Sequence, residues 1–162
     1  MAKGSLINKG KIWIYGNNNQ LTIEEDAYID AATLYIEGNG CNFTIGRKTY
    51  IGPSHLAVSE DGMQLLIGDD CMISSNVQIR TGDSHSILDE NGRRTNPAAS
   101  VVIGDHVWLG EGCKILKGVT LGENSIVATG AIVTKPFPNN VLVGGSPAKI
   151  IKENVNWNSK RI

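Results

Sequence analysis

The chain has 162 residues with 15 basic and 16 acidic side chains, for a formal charge of −1. That length suits one domain, the 41 % hydrophobic share excludes global disorder, and a near-neutral balance argues against nucleic-acid binding through a basic field. No window approaches the roughly 18 uncharged apolar residues of a membrane span, and MAKGSLINKG lacks the apolar core of a secretory signal, so a cytoplasmic protein is expected.

Cys41, Cys71 and Cys113 are too few and too scattered for a disulfide framework or a CxxC zinc site. Nineteen glycines beside 6 % aromatic residues point to thin, turn-rich layers in place of a bulky centre.

Taken in chain order, Leu6 and Ile12 open a pattern that becomes recognisable at residue 23. The blocks IEEDAY (23–28) and IDAATL (29–34) hold it loosely; IGRKTY (45–50), IGPSHL (51–56), IGDDCM (67–72) and ISSNVQ (73–78) hold it better. From residue 103 the chain divides without a break into IGDHVW, LGEGCK, ILKGVT, LGENSI, VATGAI and VTKPFP. The first place is always aliphatic: Ile103, Leu109, Ile115, Leu121, Val127 and Val133. The fifth is small in Val107, Cys113, Val119, Ser125 and Ala131, failing at Phe137 as the run ends. Gly104, Gly110 and Gly122 fill the second place, where glycine suits a backbone bend with positive φ.

A period of six matches neither a helix nor an alternating strand. It fits a short strand and a turn, three times per 18-residue coil, each aliphatic residue pointing inward. Coils about 4.8 Å apart would pair as neighbouring strands do, and such a solenoid is stable only as a stack. The expected fold is therefore an all-β solenoid in a single domain, 1–162, with repeats over about 6–138. The steps 23→45 and 45→67 carry four extra residues each. The step 67→103 carries 18 extra, placing a polar, turn-rich loop insertion at about 80–102; loops of this length are commonly functional. Beyond it, 139–162 forms a short C-terminal cap with a helix-competent stretch near 148–153 after Gly144, Gly145 and Pro147.

These tandem blocks resemble the hexapeptide repeats of the left-handed parallel β-helix acetyltransferases, over about 23–153. Within that family NVQIRTGDSHSI, IGDHVWLGEGC, VATGAIVTK and GGSPAKIIKE are similar to the galactoside, maltose and xenobiotic enzymes and especially to the capsular and other polysaccharide O-acetyltransferases. The resemblance implies a left-handed coil, a homotrimer with active sites between subunits, acetyl-CoA as acyl donor without a metal, and a sugar or glycan acceptor. It makes His85 the general base. Chemically this is sensible, since the thioester is already activated and an imidazole with a pKa near 6.5 can take the hydroxyl proton at neutral pH.

Asp83, two residues before His85, is expected to orient the imidazole or bind the acceptor. Trp108 should project outward beside the long loop and line the acceptor site. By position in the family, Gly110 and Glu111 would lie near the thioester, with a backbone N–H for the oxyanion. Thr129, Gly130 and Thr134 would follow the pantetheine arm, and Lys135, Lys149 and Lys152 would meet the phosphates and adenosine end. His106 reads as a solvated turn residue. His55 falls in the small inward slot, so its coil is expected to be distorted, and a role in an interface cleft stays open. Cys71 and Cys113 read as core filler.

Three other readings are weaker. Relatives acting on small galactoside, maltose or xenobiotic substrates usually carry a longer helical N-terminal region, whereas here the coils begin almost at once. The γ-type carbonic anhydrases share the fold but need closely spaced histidines that this chain lacks. An ice-binding face would need ordered Thr columns, and none runs through these blocks; a non-catalytic scaffold could dispense with acetyl-CoA, so a binding titration separates it.

Overall fold

Each six-residue block contributes one short strand, and the strands wind into about six turns of a parallel β-solenoid. A computed structural model describes residues 1–160; positions 161 and 162 of the expected cap lie outside the described residues. The first turn comprises β1 (Leu6–Asn8), β2 (Lys11–Tyr15) and β3 (Gln20–Ile23); the second, β4 (Tyr28–Asp30), β5 (Thr33–Glu37) and β6 (Asn42–Ile45). The third holds β7 (Tyr50–Ile51), β8 (His55–Ser59) and β9 (Gln64–Ile67); the fourth, β10 (Met72–Ile73), β11 (Gln78–Arg80) and β12 (Val101–Ile103). Then come β13 (Trp108–Leu109), β14 (Lys114–Ile115) and β15 (Thr120–Leu121), followed by β16 (Ile126–Val127) and β17 (Ile132–Val133). The chain closes with β18 (Val141–Gly145) and β19 (Ala148–Glu153).

Stacking these turns makes three faces. Face one runs β1-β4-β7-β10-β13-β16-β18-β19, face two β2-β5-β8-β11-β14-β17, and face three β3-β6-β9-β12-β15. Inward aliphatic residues pair in register up each face. Face one carries Ile29, Ile51, Ile73, Leu109, Val127 and Val143. Face two carries Leu34, Leu56, Ile79, Ile115 and Val133; face three carries Ile23, Ile45, Ile67, Ile103 and Leu121. All are buried in one continuous core. A single coil could not shield such a ring of side chains from water, so burial comes from stacking.

The four extra residues of the early turns lengthen face two: β2, β5 and β8 have five residues each, against two in β14 and β17. The lower half of that face is a broad platform, and the insertion leaves from its upper edge. Strand pairing trims the insertion to 81–100, because Arg80, Val101 and Val102 all belong to ladders.

Several expectations need correcting. The second-place glycines are not the positive-φ residues; that role belongs to the fourth place, at Asp70, Asn76, His106, Gly112, Gly118, Asn124 and Gly130. Second-place glycine answers a different constraint, close stacking: a Cβ on Gly110 would lie 2.7 Å from both the Thr129 nitrogen and the Val127 oxygen. Phe137 does not fail the pattern but slips forward to bridge Leu121 in parallel and is 6 % exposed.

The stretch 148–153 is a strand, not a helix. β19 pairs antiparallel with β18, which itself continues the parallel ladder from β16. The open edge of β18 presents unpaired backbone groups, and a strand satisfies them where a helix would not.

Candidate active site

The insertion starts and ends on fixed points. Thr81 is buried, donating through Oγ1 to the Ser59 carbonyl at 3.1 Å and accepting from the Ser59 nitrogen at 2.8 Å. The Ala99 N–H donates to the Thr81 carbonyl at 2.8 Å and closes the base. Inside, Leu88 and Arg94 form an antiparallel bridge, and the Arg94 guanidinium grips the Glu60 carboxylate with both terminal nitrogens. This hydrogen bonding holds Glu60 below the usual carboxylate range.

Asn96 organises the centre of the loop. It is 7 % exposed, accepts the Ile87 N–H at 2.7 Å and donates through Nδ2 both to Asp83 Oδ2 and to the His85 carbonyl, each at 2.8 Å. Lys117, on the corner after β14, adds an ion pair to Asp83 at 2.5 Å. Lys117 first, then Asn96, hold the Asp83 carboxyl below its ordinary value. Asp83 thus bonds the side chains of Lys117 and Asn96, and among the described residues no hydrogen bond joins it to the His85 ring.

The His85 side chain is exposed and borders a hollow of about 380 Å³ on face two, shared with Tyr35, Glu37, His55, Ala57 and Arg80. His55 reaches this hollow because the corner before it is short. Ile51 to Leu56 spans five residues, so Ser54 takes the corner and bonds Ser74 and Val77, while His55 turns outward at the start of β8. The expected distortion is present. Burial, then the Arg80 charge, lower the His55 pKa.

Trp108 does project outward, 38 % exposed, but from face one. There its indole donates to Ser74 at 3.4 Å and lies 6.1 Å from the Trp157 ring. Within one chain it does not meet His85, which belongs to the face-two side.

The residues expected at the donor site follow the corners of the upper turns. Gly130 donates to the Glu111 carbonyl at 2.8 Å, so Glu111, Thr129 and Gly130 stack at the corner between faces one and two. The Gly110 N–H is spent on the Val127 carbonyl at 2.8 Å, which removes it as an oxyanion donor. Thr134 and Lys135 occupy the corner after β17, with Lys135 Nζ 5.7 Å from the Phe137 ring centroid. Lys149 and Lys152 are exposed on β19.

His106 is not a merely solvated residue. Its Nδ1 lies 2.8 Å from Asp70 Oδ2, its Nε2 3.0 Å from the Trp157 carbonyl, and its ring stacks on Trp157 with centroids 4.3 Å apart. Burial works against the protonated ring, but the Trp157 carbonyl and Asp70 outweigh it and raise the pKa. The contact pins the tail to face one.

Cys71 and Cys113 are buried, and burial pushes both thiols up to about 12, far from a reactive thiolate. Among the described residues no three His, Cys, Asp or Glu side chains gather as metal ligands, and no helix is long and apolar enough to cross a membrane.

Asn96, Lys117 and Arg80 were not singled out in the sequence. Asn96 and Lys117 are joined to Asp83 by folding alone. Arg80 did carry a local signal, since it is the outward residue after Ile79 at the lip of the insertion.

Comparison with known proteins finds the same repeat and the same fold. Residues 100–135 match the family model "Bacterial transferase hexapeptide (six repeats)". A polysialic acid O-acetyltransferase from Escherichia coli O1:K1 is 38 % identical over 91 residues, 56 % of this chain and 30 % of that protein. The crystal structure of the polySia-specific acetyltransferase NeuO superposes with a TM-score of 0.78 at 32 % identity, covering 98 % of this chain and 80 % of the other. A galactoside acetyltransferase in complex with coenzyme A gives 0.66 at 29 % identity, over 82 % and 64 %. The matched stretches span less than half the length of the curated relatives. Taken with the repeat and the three-faced solenoid, the likeness to NeuO shows that the chain belongs to the hexapeptide-repeat, left-handed β-helix acetyltransferase family.

Proposed function

We propose that this chain is an acetyl-CoA-dependent O-acetyltransferase of polysaccharide biosynthesis, acting on a hydroxyl of a sugar or polysaccharide with His85 as general base. The observation that carries the reading is the placement of His85: an exposed imidazole on a loop fixed by Asn96, at the rim of a polar hollow. In the proposed step the imidazole takes the acceptor proton as the hydroxyl oxygen attacks the thioester carbonyl. The tetrahedral intermediate collapses with loss of the CoA thiolate, to which the imidazolium returns the proton. A positioned base of this kind contributes about 10²–10⁴ in rate.

The reading also calls for a homotrimer. His85 and the hollow belong to face two, whereas Trp108 lies on face one of the same chain. A rotation axis parallel to the solenoid brings face one of one protomer opposite face two of the next, completing the site with a neighbour's indole. Glu111, Thr129, Gly130, Thr134, Lys135, Lys149 and Lys152 would line the donor's path along that seam. The reaction belongs in the cytoplasm, where acetyl-CoA is available.

Thiol release from acetyl-CoA, measured across a panel of sugars and polysaccharides, tests this. Release with at least one acceptor, an acetyl ester on the product by mass, and a trimer by light scattering are expected. No release with any hydroxyl acceptor would defeat it.

A further inference from the structure

Outward positions on face two form a column in which Tyr35, Ala57 and Arg80 are paired across successive strands. With strands about 4.8 Å apart, Tyr35 and Arg80 stand roughly 10 Å from each other, and the small Ala57 between them leaves a notch about one sugar ring wide. His55 stands at one side of the notch, 6.4 Å from the Tyr35 ring centroid, and His85 overlooks it from the insertion.

Two nitrogens here have no protein partner. Arg80 Nε and His55 Nδ1 are both buried without a hydrogen bond, and no carboxylate pairs with Arg80 among the described residues. A donor shielded from water without a hydrogen bond is costly, and Arg80 brings its charge to the hollow without a counter-charge from these residues. The Arg80 guanidinium, facing the hollow beside His55, matches a carboxylate. Glu37, engaged by the Tyr35 hydroxyl at 2.9 Å, makes the opposite end of the hollow negative and fixes which way an acid can lie.

We propose that Arg80 and His55 form an acceptor subsite for the carboxylate of an acidic sugar, whose ring lies over Ala57 against Tyr35 and turns a hydroxyl towards His85. This rests on the transferase reading for its chemistry but not for its binding. Burial first, then the Arg80 charge, push the His55 pKa down.

The test compares uronic-acid and sialic-acid oligosaccharides with their methyl esters, which keep the sugar and lose the charge. Binding is followed by saturation-transfer NMR without acetyl-CoA, and KM by thiol release. The acids should bind at least about tenfold more tightly than the esters, the usual scale of a charge-assisted pair. Arg80→Gln should abolish that preference. Ala57→Leu, which fills the notch from outside the core, should weaken acid and ester alike while acetyl-CoA titrates normally. Equal binding of acid and ester to the wild type, or a preference that survives Arg80→Gln, would overturn the subsite. Arg80-dependent binding of acids without any thiol release would remove the transferase reading and leave the subsite standing.

Discussion

The Asn96 side-chain amide donates to the main-chain carbonyl of His85 at 2.8 Å and, through the same nitrogen, to the Asp83 carboxylate at 2.8 Å. One buried side chain thus sets the path of the segment that carries the imidazole. Asn96→Ala removes these bonds, each worth about 0.5–1.5 kcal/mol net. The 81–100 loop should show faster amide exchange and turnover should drop at least about tenfold, while the solenoid keeps its far-ultraviolet signal. Unchanged loop exchange in the variant would contradict this role.

Lys117 gives a pH-dependent prediction. It holds Asp83 below its unfolded value of about 3.9. The contribution is therefore present above that value and lost as pH falls through the lower folded pKa. Urea unfolding should find Lys117→Ala less stable than wild type at pH 7. That difference should shrink as the solution is taken below about pH 4; a gap that widens in acid would be wrong in sign.

His106 titrates the other way. To donate to both Asp70 and the Trp157 carbonyl the ring must hold both protons, and its folded pKa is raised. Its contribution is complete below the unfolded value of about 6.5 and is lost as pH rises through the higher folded value. Tryptophan fluorescence should report release of Trp157 from the stack on that rise, and His106→Asn should flatten the titration. A profile equally steep in the variant would assign the change elsewhere.

Gly110→Ala drives a Cβ to 2.7 Å from the Thr129 nitrogen and the Val127 oxygen. Backbone on both sides has little room to yield, and overpacking of this kind costs about 1–3 kcal/mol. The Tm should fall by roughly 3 °C per kcal/mol for a chain of this size, whereas Gly112→Ala, with open space around its Cβ, meets only the penalty of positive φ. Equal stability of Gly110→Ala and wild type would refute the close-stacking argument.

The repeat was legible because one physical requirement, an aliphatic residue facing inward every sixth place, recurs at Ile103, Leu109, Ile115, Leu121, Val127 and Val133, each fully or almost fully buried. The register broke where a corner changed length: five residues from Ile51 to Leu56 sent His55 outward, and a short step carried Phe137 into the core. Such slips cost the chain little and leave no mark in composition. The cap was misread because helix propensity at 148–153 is local, whereas the open edge of β18 that claims β19 exists only once the stack is built. The loop's anchors were invisible for the same reason. Asn96 and Lys117 lie 13 and 34 residues from Asp83, and nothing in their spacing announces the meeting. The role proposed for His85, by contrast, rests on the resemblance carried by its neighbouring residues.

The measurement that bears most directly on the account is the acetyl-transfer rate of His85→Ala at saturating acetyl-CoA, with the trimer verified in the same sample. Turnover at least about 10²-fold below wild type, with assembly and donor binding intact, is the predicted result. A properly assembled variant that transfers acetyl groups as fast as the wild type would show that this imidazole is not the base.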